Sequence, residues 1–140
     1  MNGRFFLETN VFVHSFDDSA PAKAKRAMSL IREAAETRKG VVSYQIVHEF
    51  FNVALRRFSK PMNAAEGDHY TSTVFRPLWT VHSSEVLLRN ALWLCGEHHL
   101  AWYDSLAIAA AIEAQCDVLY SEDLQPSRNF GNLQILNPFR

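Results

Sequence analysis

The sequence predicts an α/β fold in which a parallel sheet is covered by helices on both faces. Three observations carry that expectation. Short apolar runs alternate with longer segments of helical period, the pattern of strands and crossover helices in a parallel sheet. Two of the runs, Arg4-Phe5-Phe6-Leu7-Glu8-Thr9-Asn10 and Leu119-Tyr120-Ser121-Glu122-Asp123, stop abruptly in acid. In open α/β sheets the carboxyl ends of the strands are where ligands bind. Finally, 140 residues with 48% hydrophobic content suit one core, so residues 1–140 are read as a single domain.

Phe5 to Leu7 is too short and too unbroken for a helix and reads as a buried strand. After the turn at Asp17-Asp18-Ser19-Ala20-Pro21, the spacing of Ala27, Leu30, Ile31 and Ala34 predicts a helix over Ala22 to Thr37, with Gly40 as its stop. Val41-Val42 is a second strand, leading through Ser43 as N-cap into a helix from Tyr44 to Phe58. Beyond Pro61 a weaker helix begins near Ala64, and Leu78 to Val81 fits a strand. Ser83-Ser84-Glu85 is a capped start for a helix over Val86 to His98. Trp102-Tyr103-Asp104 introduces an alanine-rich helix from Ser105 to Gln115, and Asp117 to Tyr120 and Leu133 to Leu136 are the last strands.

A net charge of −1 leaves no overall polycation, so a nucleic-acid partner would be held by a local basic face or through bound metal. Cys95 and Cys116 lack C-x-x-C spacing and read as small buried hydrophobes in a reducing compartment. No basic-then-apolar leader stands at the N-terminus, and no stretch approaches the roughly 20 apolar residues that span a bilayer. The expectation is a soluble, cytoplasmic protein with no membrane partner.

The acids carry the chemistry. Glu8 ends the first strand, and Asn10 adds a second oxygen-bearing side chain to the same turn. Glu49 lies beside Ile46 and Val53 at the edge of a core-facing helical stripe. A carboxylate there costs stability unless it is hydrogen-bonded, paired with Arg56 or Arg57, or bound to a cation. Asp104 stands where the alanine-rich helix begins, a place that a plain N-cap also explains. Asp123, with Glu122 beside it, follows the Asp117–Tyr120 strand, where an ordinary surface turn is the alternative. Together these residues bring four carboxylates from four elements to one sheet edge. Crowded carboxylates raise one another's pKa as a set, and a divalent cation removes that conflict. An all-oxygen set without Cys or His suits Mg²⁺ or Mn²⁺ better than zinc, and such ions support phosphodiester hydrolysis.

Four ordered segments resemble the PIN-domain family, and most closely its single-domain VapC-type toxins. Phe6-Leu7-Glu8-Thr9-Asn10-Val11-Phe12-Val13 is similar to the family's opening, and Val42-Ser43-Tyr44-Gln45-Ile46-Val47-His48-Glu49-Phe50 to its second motif. Trp102-Tyr103-Asp104-Ser105-Leu106-Ala107-Ile108-Ala109-Ala110-Ala111 resembles the third, and Leu119-Tyr120-Ser121-Glu122-Asp123-Leu124-Gln125 the fourth. The resemblance spans the chain. It implies a three-layer, Rossmann-like α/β/α sandwich and a Mg²⁺- or Mn²⁺-dependent endoribonuclease in which a metal-activated water attacks the RNA phosphodiester. It also implies homodimers and a small cognate antitoxin. Carried over by position, the catalytic and metal-holding acids are Glu8, Glu49, Asp104 and Asp123, with Asn10 and Ser121 as nearby polar support and Glu122 as an outside candidate. The family ordinarily has Asp where this chain has Glu8. The extra methylene keeps a second reading open, a weak or inactive PIN-like protein that binds RNA or an antitoxin.

Other clusters have plainer readings. His98-His99 is expected as an exposed pair at a helix C-terminus. Lys23, Lys25, Arg26, Arg32, Arg38 and Lys39 form a solvated face or contact RNA phosphates, and Arg56, Arg57 and Lys60 are alike in this. Trp79, Trp93, Trp102, Tyr70 and Phe75 are read as core or subunit interface. The stretch from Arg57 to Trp79 is read as a lid or a dimer contact.

Overall fold

The computed structural model describes residues 2–125 and 128–140. Its elements run β1 (Phe5–Leu7), α1 (Thr9–His14), α2 (Pro21–Thr37), β2 (Gly40–Ser43), α3 (Tyr44–Ala54), α4 (Ala64–Tyr70), β3 (Trp79–Val81), α5 (Glu85–His98), α6 (Trp102–Glu113), β4 (Val118–Tyr120), β5 (Asn129–Phe130) and β6 (Leu133–Leu136). The sheet order is β3-β2-β1-β4-β6-β5. All neighbours pair parallel except β5 and β6, which are antiparallel. The expectation of a parallel sheet therefore needs one correction, an antiparallel edge strand that its two residues gave no periodicity to reveal.

β1 lies at the centre, between β2 and β4, with all three side chains buried. That is why Phe5-Phe6-Leu7 is apolar throughout and does not alternate. Phe6, Leu7, Val42, Leu119 and Ile135 form the sheet's share of the core, against Phe12 of α1, Leu30 of α2, Ile46 and Phe50 of α3 and Ile108 of α6. The alanines of α6 are buried nearly all round, so the helix passes close against the sheet and has no polar face to speak of.

Several boundaries move from their sequence expectation. α1 was not foreseen, because six residues leave too little periodicity to read. α2 starts at Pro21, whose fixed φ suits a first helical position, and it is closed by Arg38 in the left-handed region at φ 59°, not by Gly40. Gly40 opens β2 instead, so close to α2 that a Cβ would lie 2.1 Å from the Ala34 Cβ. α3 stops at Ala54, four residues early, where the Met62 amide donates to the Ala54 carbonyl at 2.9 Å. Ser43 occupies the N-cap position of α3, yet its side chain makes no capping bond. Ser84 does cap α5, accepting from the Leu87 amide at 3.0 Å. α6 begins at Trp102 behind Ala101, so Asp104 sits within its first turn and does not cap it. The region after α3 holds α4 and a π-helical turn over Thr71–Phe75.

The aromatics divide. Phe75 is fully buried, Tyr70 stacks on Phe50 at 5.2 Å, Trp79 and Trp102 are half-buried, and Trp93 is 62% exposed. His98 is half-buried, its ring edge-on to Phe130 at 4.9 Å, while His99 takes the left-handed cap of α5 at φ 55°. The expected exposed pair thus reduces to His99. Cys116 is buried, and Cys95 is half-buried with its thiol directed to the Leu100 carbonyl. No described helix is long and apolar enough to cross a membrane.

Candidate active site

The carboxyl ends of β1 and β4 lie side by side, and the two elements that follow them deliver the first and last acids. Glu8 continues the β1 ladder, its amide donating to the Tyr120 carbonyl at 3.3 Å. Its side chain is only 9% exposed, and one carboxylate oxygen accepts from Ser121 Oγ at 2.8 Å. Ser121 Oγ in turn accepts from the Leu124 amide at 3.1 Å, which commits its only proton to Glu8. Asp123, on the exposed side of the same turn, accepts from the Asn10 amide at 2.8 Å. The two strand-end segments are therefore tied together twice, Glu8 to Ser121 and Asn10 to Asp123.

Glu49 projects from α3, one turn beyond Gln45. A single carboxylate oxygen accepts from Thr9 Oγ1 at 3.1 Å and from the Gln45 amide at 3.2 Å. The same Gln45 nitrogen donates to the Tyr103 carbonyl at 3.1 Å, which links α3 to the start of α6. Asp104 stands in that first turn, where the helix dipole favours an anion. Among the described residues no side-chain donor is placed on it.

These four carboxylates line one cleft of about 250 Å³, together with Asn10, Thr9, Gln45, Asn52, Val53 and Tyr103. The lining holds no Lys, Arg or His. Negative charge is gathered there with only neutral hydrogen-bond donors to meet it. Glu8 shows the consequence most strongly. Burial pushes its carboxyl up to about 7, against the Ser121 hydrogen bond, with Asp104, Glu49 and Asp123 raising it further. Burial also raises Glu49, opposed by Thr9 and Gln45, and raises Asp104, to which Asp123 adds.

Glu122 lies elsewhere. It pairs with Lys23 and with His14 Nε2 at 2.6 Å, and Lys23 above all holds its carboxyl below the usual range. With Phe139 edge-on to His14 at 4.9 Å, this is a latch between α1, α2 and the chain end. Lys23 is thereby part of the latch, and Arg26 donates to the Pro138 carbonyl at 3.0 Å, so neither is a purely solvated cation. Glu49 has no ion pair to Arg56 or Arg57. The residues that sequence reasoning missed are Thr9, Gln45, Asn52 and Tyr103. Gln45 was signalled, since it precedes Glu49 by four residues and so shares its helix face.

The donor set fits a hard divalent cation. One carboxylate oxygen each of Glu8, Glu49 and Asp123 takes all the hydrogen bonds, which leaves the other oxygens and both of Asp104 open. Among the described residues no group of three or more Asp, Glu, His or Cys side chains stands close enough together to hold a metal ion.

A family model described as PIN domain matches residues 5–129. Several solved structures have a similar fold. VapC20 of Mycobacterium tuberculosis, titled a sarcin-ricin loop cleaving toxin, is 15% identical, with TM-score 0.62 over 85% of this chain and 89% of its own. VapBC2 of Rickettsia felis, bound to a DNA fragment from its promoter, is 18% identical, with TM-score 0.66 over 95% and 97%. The FitAcB structure of Neisseria gonorrhoeae is 14% identical, with TM-score 0.61 over 96% and 98%. No curated protein matches the sequence.

Proposed function

The chain belongs to the PIN-domain family, and from that premise we propose that it is a metal-dependent endoribonuclease, the toxin of a toxin–antitoxin pair. The observation that supports this reading is the cleft at the sheet's carboxyl edge, lined by Glu8, Glu49, Asp104 and Asp123 without a single cationic side chain. Those four acids would hold Mg²⁺ or Mn²⁺. Such an ion, when bound, supplies an acidified water and a charge that offsets the phosphoryl and leaving oxygens.

The chain's own residues do the positioning. Ser121 holds Glu8, Thr9 and Gln45 hold Glu49, and Asn10 holds Asp123, each through one carboxylate oxygen. A carboxylate held this way loses little freedom when it engages a cation. Glu8 lines the cleft while its carboxylate accepts from Ser121 Oγ. No protein nucleophile is required. A cognate antitoxin is the proposed partner, and the exposed apolar side chains Val86, Leu92 and Trp93 of α5 supply a surface for a homodimer.

The test is Mn²⁺-dependent cleavage of a panel of structured and single-stranded RNAs. Cleavage that EDTA abolishes, and that Asp104→Asn and Asp123→Asn each reduce at least a hundredfold, is the expected result. Full activity in both variants would overturn the assignment. RNA binding without cleavage, indifferent to EDTA, would favour a binding protein in its place.

A further inference from the structure

We propose that the Glu122–His14–Lys23 latch, backed by the last residues of the chain, positions Asp123 for cation binding, an inference that rests on the nuclease reading for its ion. Helix α1 links the latch to the cleft. It has six residues, and three of them reach acids. Thr9 donates to Glu49 at 3.1 Å, Asn10 donates to Asp123 at 2.8 Å, and His14 Nε2 meets Glu122 at 2.6 Å. Asn10 and His14 stand one helical turn apart and share a face. One helix face therefore grips two consecutive residues of the turn after β4.

The two grips are unequal. Asp123 is exposed, and among the described residues Asn10 is its only side-chain partner. Glu122 is half-buried and uses both oxygens, Oε1 toward Lys23 and Oε2 toward His14. An opposite charge holds a carboxylate more firmly than a neutral amide does. Partial burial also spares the Lys23–Glu122 pair some of the screening that makes surface pairs weak. Glu122 and Asp123 share a peptide bond, so what fixes the first limits where the second can go.

The chain end stiffens the latch. It leaves the sheet beside the same turn, where the Ser121 amide donates to the Leu136 carbonyl at 2.9 Å. It then returns over Lys23 and His14. The Lys23 ammonium stands 5.5 Å from the centre of the Phe139 ring, and His14 meets that ring edge-on at 4.9 Å. Arg26, on the same face of α2 as Lys23, donates to the Pro138 carbonyl at 3.0 Å. Glu122, His14, Lys23 and Phe139 do not line the acid cleft. Their effect on Asp123 passes through the turn's backbone, which makes them positioning residues.

Lys23→Ala and Lys23→Arg test this. Mn²⁺ affinity is measured by calorimetry, RNA cleavage in single turnovers, and amide hydrogen exchange by NMR in EDTA. By charge alone, removing an ammonium near the acids would tighten cation binding. Loss of positioning predicts the opposite sign. Lys23→Ala should weaken Mn²⁺ binding about tenfold, as losing an outer partner of a metal ligand does, and Lys23→Arg should restore it. Cleavage at saturating RNA should fall in Lys23→Ala with KM unchanged. In the metal-free protein the Leu124 amide, bonded to Ser121 Oγ at 3.1 Å in the same turn, reports on local opening. It should exchange about tenfold faster in Lys23→Ala, while the β1 amides keep the parent's rate. Mn²⁺ affinity in Lys23→Ala equal to the parent's, or tighter, overturns the positioning role, and a parent that cuts RNA keeps the nuclease reading. Equal acceleration of the Leu124 and β1 amides also overturns it, since the latch then supports only the fold. Faster exchange at Leu124 alone, in a protein that takes up no Mn²⁺ and cuts no RNA, keeps the latch's hold on the turn and overturns the nuclease.

Discussion

Replacing Glu8 with Gln should stabilise the metal-free protein at high pH while abolishing its activity. In the fold the Glu8 carboxyl is pushed up to about 7, chiefly by burial, from an ordinary value of 4.5. A group whose folded pKa is raised holds its proton more tightly in the native state. The stability it contributes is full below about pH 4.5 and is lost as pH rises through 7. A shift of about 2.5 units, at about 1.4 kcal/mol per unit, makes that loss roughly 3 kcal/mol by pH 8. Gln has the same shape, can accept the Ser121 hydrogen bond and cannot ionise. The two proteins should therefore be nearly equal in stability at pH 4, and the variant should lead by about 3 kcal/mol at pH 8. Urea denaturation in EDTA at pH 4, 6 and 8 measures the gap directly, with m-values checking that the unfolded states are alike. Mn²⁺ added at pH 8 should stabilise the parent protein, by about 2.7 kcal/mol at a hundredfold excess over its dissociation constant, and should stabilise the variant less. A gap independent of pH, or a variant less stable than the parent at pH 8, would refute the electrostatic account of this site.

Asp104→Asn should reduce cleavage at least a hundredfold while leaving the circular dichroism spectrum unchanged, since no side chain depends on it; single-turnover RNA cleavage measures this. Ser121→Ala removes the donor to Glu8 and the acceptor of the Leu124 amide. It should cost about 1–3 kcal/mol by urea titration and move the Glu8 carboxyl still higher, visible as a pH-dependent loss of stability that continues to higher pH. Gly40→Ala would set a Cβ 2.1 Å from the Ala34 Cβ and must part β2 from α2. A loss of about 2 kcal/mol or more is expected, and thermal unfolding at unchanged Tm would show that the contact relaxes freely.

Most strand positions were legible because a central parallel strand is buried on both faces and reads as an unbroken apolar run. β1 and β6 fall where the sequence put them, and the acids that end β1 and follow β4 share one cleft. Short elements were not legible. α1 has only six residues, and β5 only two, too few for a period. α3 was read too long because Phe58 continues the apolar pattern, whereas the chain turns at Ala54 and brings Phe58 back against Phe50, 5.9 Å between rings. Packing there satisfies the residue without helix. Ser43 was assigned a capping role on residue type and Asp104 had a cap as its plainer alternative, and neither caps. Propensity identifies residues able to cap, but the backbone register decides which one stands at the end. Glu122 shows the same limit among acids, because adjacency to Asp123 in sequence sends its side chain to the opposite side, onto Lys23 and His14.

That Asp104 does not cap α6 has a consequence for function. A Ser that caps a helix, or an Asp that caps one, has its oxygen consumed by backbone amides. Because Ala101 starts α6, the oxygens of Asp104 stay free of backbone amides at the carboxyl edge of the sheet. The same edge holds carboxylates whose charged forms the protein disfavours. Burial of those charged forms lowers stability, and under the proposed function a bound cation would relieve it. Stabilising substitutions at Glu8, Glu49 and Asp104 should therefore be easy to find and costly to activity. A screen for raised Tm in EDTA that recovers none of these three positions would argue that the edge is not strained in this way.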